Sequence, residues 1–230
     1  MNKISRLSSA DAQLVRDALG SKCMLGFVIA CGLYYVLLLA AQAFGGGGLD
    51  LGLVLILVQG FVTAECLILY QRKESRNVKH LSVFCLIAMI VLFLMCLFLG
   101  AMVMTIKTME SGEQTEEIME LLADTDFSAD LPYMIATVAY YGVSGLSMLF
   151  LWKALGMSAA LLEHRGEMKN WFLPAAVTVG LCAAMKLALA VLQPSAAFNM
   201  ALTLASVARE GLLSGLLART AAQCRLNRLL

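Results

Sequence analysis

The chain is 230 residues long, 60% of them hydrophobic and only 14% charged, with a mean hydropathy of +0.82 and a net charge of +1. A soluble domain carries about a quarter charged residues, so this composition cannot clothe a globule in water. No basic stripe exceeds the local loop clusters, which excludes a nucleic-acid footprint; the expected partner is the lipid bilayer.

Residues 1–22 read as a polar N-terminal segment. Ser8 stands three residues before Asp11, and Leu14, Val15, Ala18 and Leu19 then share one helical face, with Gly20 as a stop. The pattern predicts a short amphipathic helix lying in the cytoplasmic interface. The first span is predicted over 23–44. No small-x-small cleavage site accompanies it, so it is expected to stay as a mature span.

The four glycines at 45–48 cannot sustain a helix and mark a turn. The second span, 49–70, carries Gln59 and Glu65, and a basic decapeptide with Arg72, Lys73, Arg76 and Lys79 follows. The third span, 81–106, is the clearest: twenty-six residues, LSVFCLIAMIVLFLMCLFLGAMVMTI, without one charge. About 20 apolar residues at ~1.5 Å rise suffice to cross the hydrocarbon.

The loop 107–130 sets Glu110, Glu113, Glu116, Glu117, Glu120, Asp124, Asp126 and Asp130 against Lys107. Ser111 with Gln114 forms a capping-box pattern ahead of Ile118, Met119, Leu121 and Leu122, which predicts a short surface helix there. A fourth span follows over 132–153, and then a loop with Glu163, His164, Arg165, Glu167 and Lys169. A fifth span over 171–192, a turn at 193–195, a final helix over 197–218 and a basic tail over 219–230 complete the chain. The expected fold is all-α: a polytopic bundle of six transmembrane helices.

Charge orients this bundle. Lys3, Arg6, Arg16 and Lys22, then Arg72, Lys73, Arg76 and Lys79, then Lys153, Arg165 and Lys169, and finally Arg219, Arg225 and Arg228 fall on one side. Lys107 alone falls on the other, with Asp50 and the acidic loop. By the positive-inside rule both termini are expected in the cytoplasm, with the chain in the cell (plasma) membrane.

Ionisable groups inside the spans cost about 2.5–3.5 kcal/mol on insertion scales and need a partner, a water-filled cavity or a route to the headgroups. Glu65 lies near the inner end of its span and Lys186 near the outer end of its own, so both are expected to reach the interface. Arg209 and Glu210 follow only about twelve residues after Ala197, so they are expected either within the inner half of the membrane or on a final helix tilted into the cytoplasmic interface. Sequence neighbours on a helix are about 100° apart, so Arg209 is expected to seek an acid on another helix, and Glu65 is the candidate. Gln59, Glu65, Lys186, Asn199, Arg209 and Glu210 are the candidate pathway residues.

Gly142-Val143-Ser144-Gly145 in the fourth span resembles the GxSG motif of rhomboid intramembrane proteases, which have a six-helix core. That resemblance implies a nucleophilic serine whose base is a histidine on the sixth helix. The sixth helix here has none, and His80 and His164 sit in loops, so close helix packing is the expected role of these small residues. Cys23, Cys31, Cys66, Cys85, Cys96, Cys182 and Cys224 contain no CxxC pair and are expected to be reduced, small hydrophobes. No metal site, cofactor or catalytic residue is expected.

In outline (an amphipathic helix, then six spans) the chain resembles the permease subunits of ABC-type exporters, a likeness of architecture alone. The expected function is a small transporter or the membrane subunit of a transport complex, with a cytoplasmic ATPase or other subunit as possible partner. A non-catalytic membrane scaffold and, more remotely, an intramembrane serine enzyme are the alternatives.

Overall fold

The structure is a computed structural model, and it describes residues 3–44, 51–110, 127–165, 169–192 and 197–229. Seven helices follow one another: α1 (Lys3–Leu19), α2 (Lys22–Phe44), α3 (Leu51–Arg72), α4 (Ser75–Glu110), α5 (Phe127–Leu162), α6 (Phe172–Leu192) and α7 (Ala197–Leu229). Among the described residues there is no strand. The six helices from α2 to α7 are each long and apolar enough to cross a membrane. The glycine turn at 45–48, the surface helix expected around Ser111 and the turn at 193–195 lie outside the described residues.

Several helix ends move outward from the sequence expectation. The basic decapeptide is divided between the end of α3, a two-residue elbow at 73–74 and the start of α4. At the expected acidic loop α4 continues to Glu110 and α5 begins at Phe127; α5 then continues nine residues beyond 153 to Leu162, and α7 runs through the expected tail to Leu229. Hydropathy ends where apolar side chains end. Helix geometry continues as long as the backbone hydrogen bonds propagate into water.

Around the bundle each span packs on its neighbours in sequence, and α7 returns to α2 to close a ring. The seam between α3 and α4 is the loosest. α1 is not a free interfacial helix: Ala12, Leu14 and Val15 are buried, and it docks on α5 and α7. Gly20 ends it, its amide bonding to the Arg16 carbonyl at 3.0 Å. Ser21 then accepts a bond from the Met24 amide at 3.2 Å and caps α2.

The molecule is apolar on its outside. Leu97 is 70% exposed, Val191 74%, and Ile29, Leu57, Phe98 and Met104 also point outward. Small residues fill the inside instead, among them Ala154, Ala159, Ala175, Ala176 and Ala221. In lipid no hydrophobic force drives helices together, so small side chains that permit close approach and short polar bridges take over. Ser214 donates to the Ala176 carbonyl at 2.8 Å, and Ser82 to that of Trp152 at 3.2 Å. At Gly145 a Cβ would stand 3.1 Å from the Phe93 ring, so the missing side chain lets α4 and α5 meet here without displacing that ring. Six such helices around a small-residue interior make this a multi-pass membrane protein in architecture.

Packing is uneven along the membrane normal. The main buried cluster is drawn from the start of α2 (Met24–Cys31), the end of α3 (Cys66, Leu69), the start of α4 and the end of α5. The start of α6 and the end of α7 join it. All these segments meet at one face of the bundle, where Arg16, Arg72, Arg76, Lys79, Arg165 and Arg219 also gather. We call it the basic face. It is closed by these side chains, and the buried hydrophobes outside the cluster among the described residues include Val103, Ala183 and Ala205.

One ion-pair clamp holds this face together. Glu163, just beyond α5, pairs with Lys79 at 2.5 Å and accepts a bond from Ser75 at 3.1 Å. Lys79 above all, then Ser75, hold its carboxyl below the ordinary value near 4.5. A depressed folded pKa means that the clamp contributes fully above the unfolded value and is lost as pH falls through the folded one. Amide exchange over 161–165 in detergent is therefore expected to quicken below about pH 4.5, the ordinary carboxyl value. Glu163→Gln is expected to exchange quickly already at pH 7 and to lose that step. An unchanged step in the variant would assign it to another group.

Candidate functional site

Just past the sealed half lies a layer of polar side chains contributed by five helices. Lys186 of α6 donates to Glu210 Oε1 and, at 2.7 Å, to Ser206 Oγ, both on α7. Arg209, next along α7, donates to Gln59 Oε1 of α3 at 2.8 Å, and its guanidinium lies 4.5 Å from the centre of the Tyr34 ring of α2. The other arm of Arg209 stands 3.7 Å from Glu210 Oε1, so one carboxylate oxygen serves two cations. On α5, Tyr140 stands beside Lys186, whose ammonium is 5.7 Å from the ring centre. Ser144, one turn along, faces the Cys182 thiol at 3.6 Å.

These groups are withdrawn from solvent. The side chains of Lys186, Arg209 and Glu210 are 20%, 18% and 13% exposed, and Gln59 is 8% exposed. They lie inside the apolar helices: Arg209 and Glu210 near the middle of Asn199–Cys224, and Gln59 five residues into Val54–Arg72. Two cations face one carboxylate, leaving a surplus positive charge at mid-membrane. In this layer the buried Gln59 Nε2 and Glu210 Oε2 have no hydrogen-bond partner among the described residues. A charge in this setting is strongly coupled to anything that approaches it, because the low local dielectric screens little.

Four of the six sequence candidates thus come together: Gln59, Lys186, Arg209 and Glu210. The expected pair of Arg209 with Glu65 does not form. Glu65 instead accepts a bond from Asn77 at 3.0 Å and stands 3.4 Å from His80 Nδ1, across the loose seam to α4 near the basic face. Glu65 comes six residues after Gln59, about 9 Å along a helix, and that rise takes it below the reach of Arg209. Nor does Lys186 run to the headgroups; a carboxylate one helix away offers more than a long climb past Leu187 and Val191. Arg209 and Glu210 do meet despite their 100° separation, since the carboxylate oxygen that accepts from Lys186 also stands 3.7 Å from the Arg209 guanidinium. Asn199 is exposed at the far end of α7 and stands apart.

Sequence reasoning passed over Tyr34, Tyr140 and Ser206. A signal was present for two of them: Tyr140 with Ser144, Cys182 with Lys186, and Ser206 with Glu210 are each four residues apart. Each pair therefore lies on one helical face within an otherwise apolar run. The histidines do not approach Ser144: His80 is engaged with Glu65, and His164, in a left-handed conformation (φ 57°), caps the end of α5. Compared with known proteins, the chain matches no family model, no curated sequence and no solved structure.

Proposed function

We propose that the protein is a small membrane transporter, or the membrane subunit of a transport complex, acting on a small polar solute with an anionic or hydrogen-bond-accepting group. The observation that supports this most is the Lys186–Glu210–Arg209–Gln59 layer, a group of polar and ionisable side chains in the apolar helices joined by three contacts. Such groups are costly in lipid and mark solute or proton pathways. The surplus positive charge and the unsatisfied Gln59 Nε2 donor favour an acceptor-bearing solute. The buried cluster toward the basic face is what an alternating-access bundle would show with that side closed. In this reading the basic face, both termini included, is cytoplasmic, the membrane is the cell membrane, and a cytoplasmic ATPase is the natural partner of a subunit without its own energy source.

The test is access to the layer. In a chain whose native cysteines are replaced, Ser206→Cys is exposed to a charged, membrane-impermeant methanethiosulfonate from either side, in right-side-out and inverted vesicles. Transport predicts modification from both sides, with reaction from one side slowing as the other is favoured. Modification from neither side would make the layer a sealed structural element and the protein a scaffold.

A further inference from the structure

A second polar feature lies far from the mid-membrane layer and owes nothing to it. Where α1 ends and α3 turns into α4, a cavity of about 500 Å³ opens on the basic face. Its walls are Arg16 of α1, Arg72 at the end of α3, Lys73 and Glu74 of the elbow, and Ser75 and Arg76 of α4, over a floor of Leu162. Four cations face one carboxylate, and among the described residues none of the four is in a salt bridge.

The elbow is built in a way that turning alone does not require. Lys73 has φ 54°, in the left-handed region that a lysine enters at a cost. Glycine would make the same turn without strain. Its side chain is folded over Gly20, so closely that a Cβ there would stand 2.5 Å from Lys73 Nζ. The α1 stop and the α3–α4 elbow are thereby shaped around one ammonium, half-buried at the cavity wall. Like charges brought together repel, and a fold that gathers four of them beside a strained backbone gains only when an anion enters.

The depth of the cavity indicates which anion. Arg72 is the last residue of one membrane-crossing segment and Ser75 the first of the next, so the cavity is level with the headgroups. The apolar floor of Leu162 suits a glycerol or acyl stem, while Arg16, Arg72 and Arg76 offer guanidinium forks that match phosphate oxygens. We propose that this cavity binds a phosphate-bearing anion, supplied by the headgroup of an anionic phospholipid.

The experiment uses the full chain in mild detergent, with binding of phosphatidylglycerol, phosphatidylcholine and soluble tripolyphosphate read by native mass spectrometry. Phosphatidylglycerol is expected to bind in preference to phosphatidylcholine. Its affinity should fall about 25-fold in Arg72→Gln/Arg76→Gln, roughly 5-fold for each cation neutralised. Arg16→Gln, on a different helix, should cost about 5-fold alone, and Arg165→Gln/Lys169→Gln, on the same face outside the cavity, should cost little. All three variants alter exposed side chains, and an unchanged thermal midpoint without lipid checks that they fold. If tripolyphosphate alone shows the variant pattern, the phosphate site stands but its ligand is soluble, and the lipid assignment fails. Equal losses in the Arg165/Lys169 control, or no preference for either phosphate source, would overturn the site and leave only diffuse surface charge.

Discussion

Glu210→Gln is expected to be the most damaging single substitution in the protein, costing about 3 kcal/mol of stability. Its carboxylate oxygen is shared by Lys186 and, at 3.7 Å, by Arg209, and both cations are largely buried. Removing one partner of a buried pair leaves an uncompensated charge, and here it leaves two. Counting charge orders the variants. Glu210→Gln raises the local surplus, Lys186→Met removes it while leaving Glu210 to Arg209, and Lys186→Met/Glu210→Leu restores the wild-type count. The expected rank of stability in detergent, by thermal or SDS-induced unfolding, is Lys186→Met above the double variant and the double variant above Glu210→Gln. Equal losses for Lys186→Met and Glu210→Gln would show that the hydrogen bond itself matters more than the balance of charge.

Arg209→Met should come next, at about 2 kcal/mol, the range of a hydrogen bond to a charged group together with a ring contact. The loss is expected to be coupled to Gln59 and not to Glu65. In a double-mutant cycle with Gln59→Leu the interaction energy should reach about 1.5 kcal/mol; with Glu65→Leu it should stay within about 0.5 kcal/mol of additivity. Arg209→Lys is expected to rescue little, since an ammonium has no planar fork with which to reach Gln59 while lying over Tyr34. Strong coupling to Glu65 would place these helices in a different rotation. The same variants separate stability from transport: one that unfolds normally but blocks modification of Ser206→Cys from one side would assign Arg209 to the access change.

The two polar regions answer different physical demands. At mid-membrane, desolvation makes every unpaired group expensive, so the side chains from α2, α3, α5, α6 and α7 converge on each other. At the basic face water and headgroups are available, and the cations of the elbow can stay unpaired until an anion arrives. Glu65 belongs to the second regime, although it lies inside a span. Asn77 and His80, at the start of α4, meet it there.

Read alone, the 230 residues determined the all-helical class, the number of helices able to cross a membrane and the asymmetry of charge. They also determined which ionisable groups lie within those apolar helices. Each of these is a property of a run of side chains, since transfer into hydrocarbon is summed residue by residue along one helix. The partners of those groups were decided only in three dimensions. Whether Arg209 meets Gln59 or Glu65 depends on how α3 and α7 are rotated and placed across the ring, and no periodicity in either helix records that. The ends of α4, α5 and α7, the docking of α1 and the cavity at the elbow belong to the tertiary structure for the same reason. They arise where separate segments meet, and the interaction energy there is a function of pairs of residues far apart in the chain.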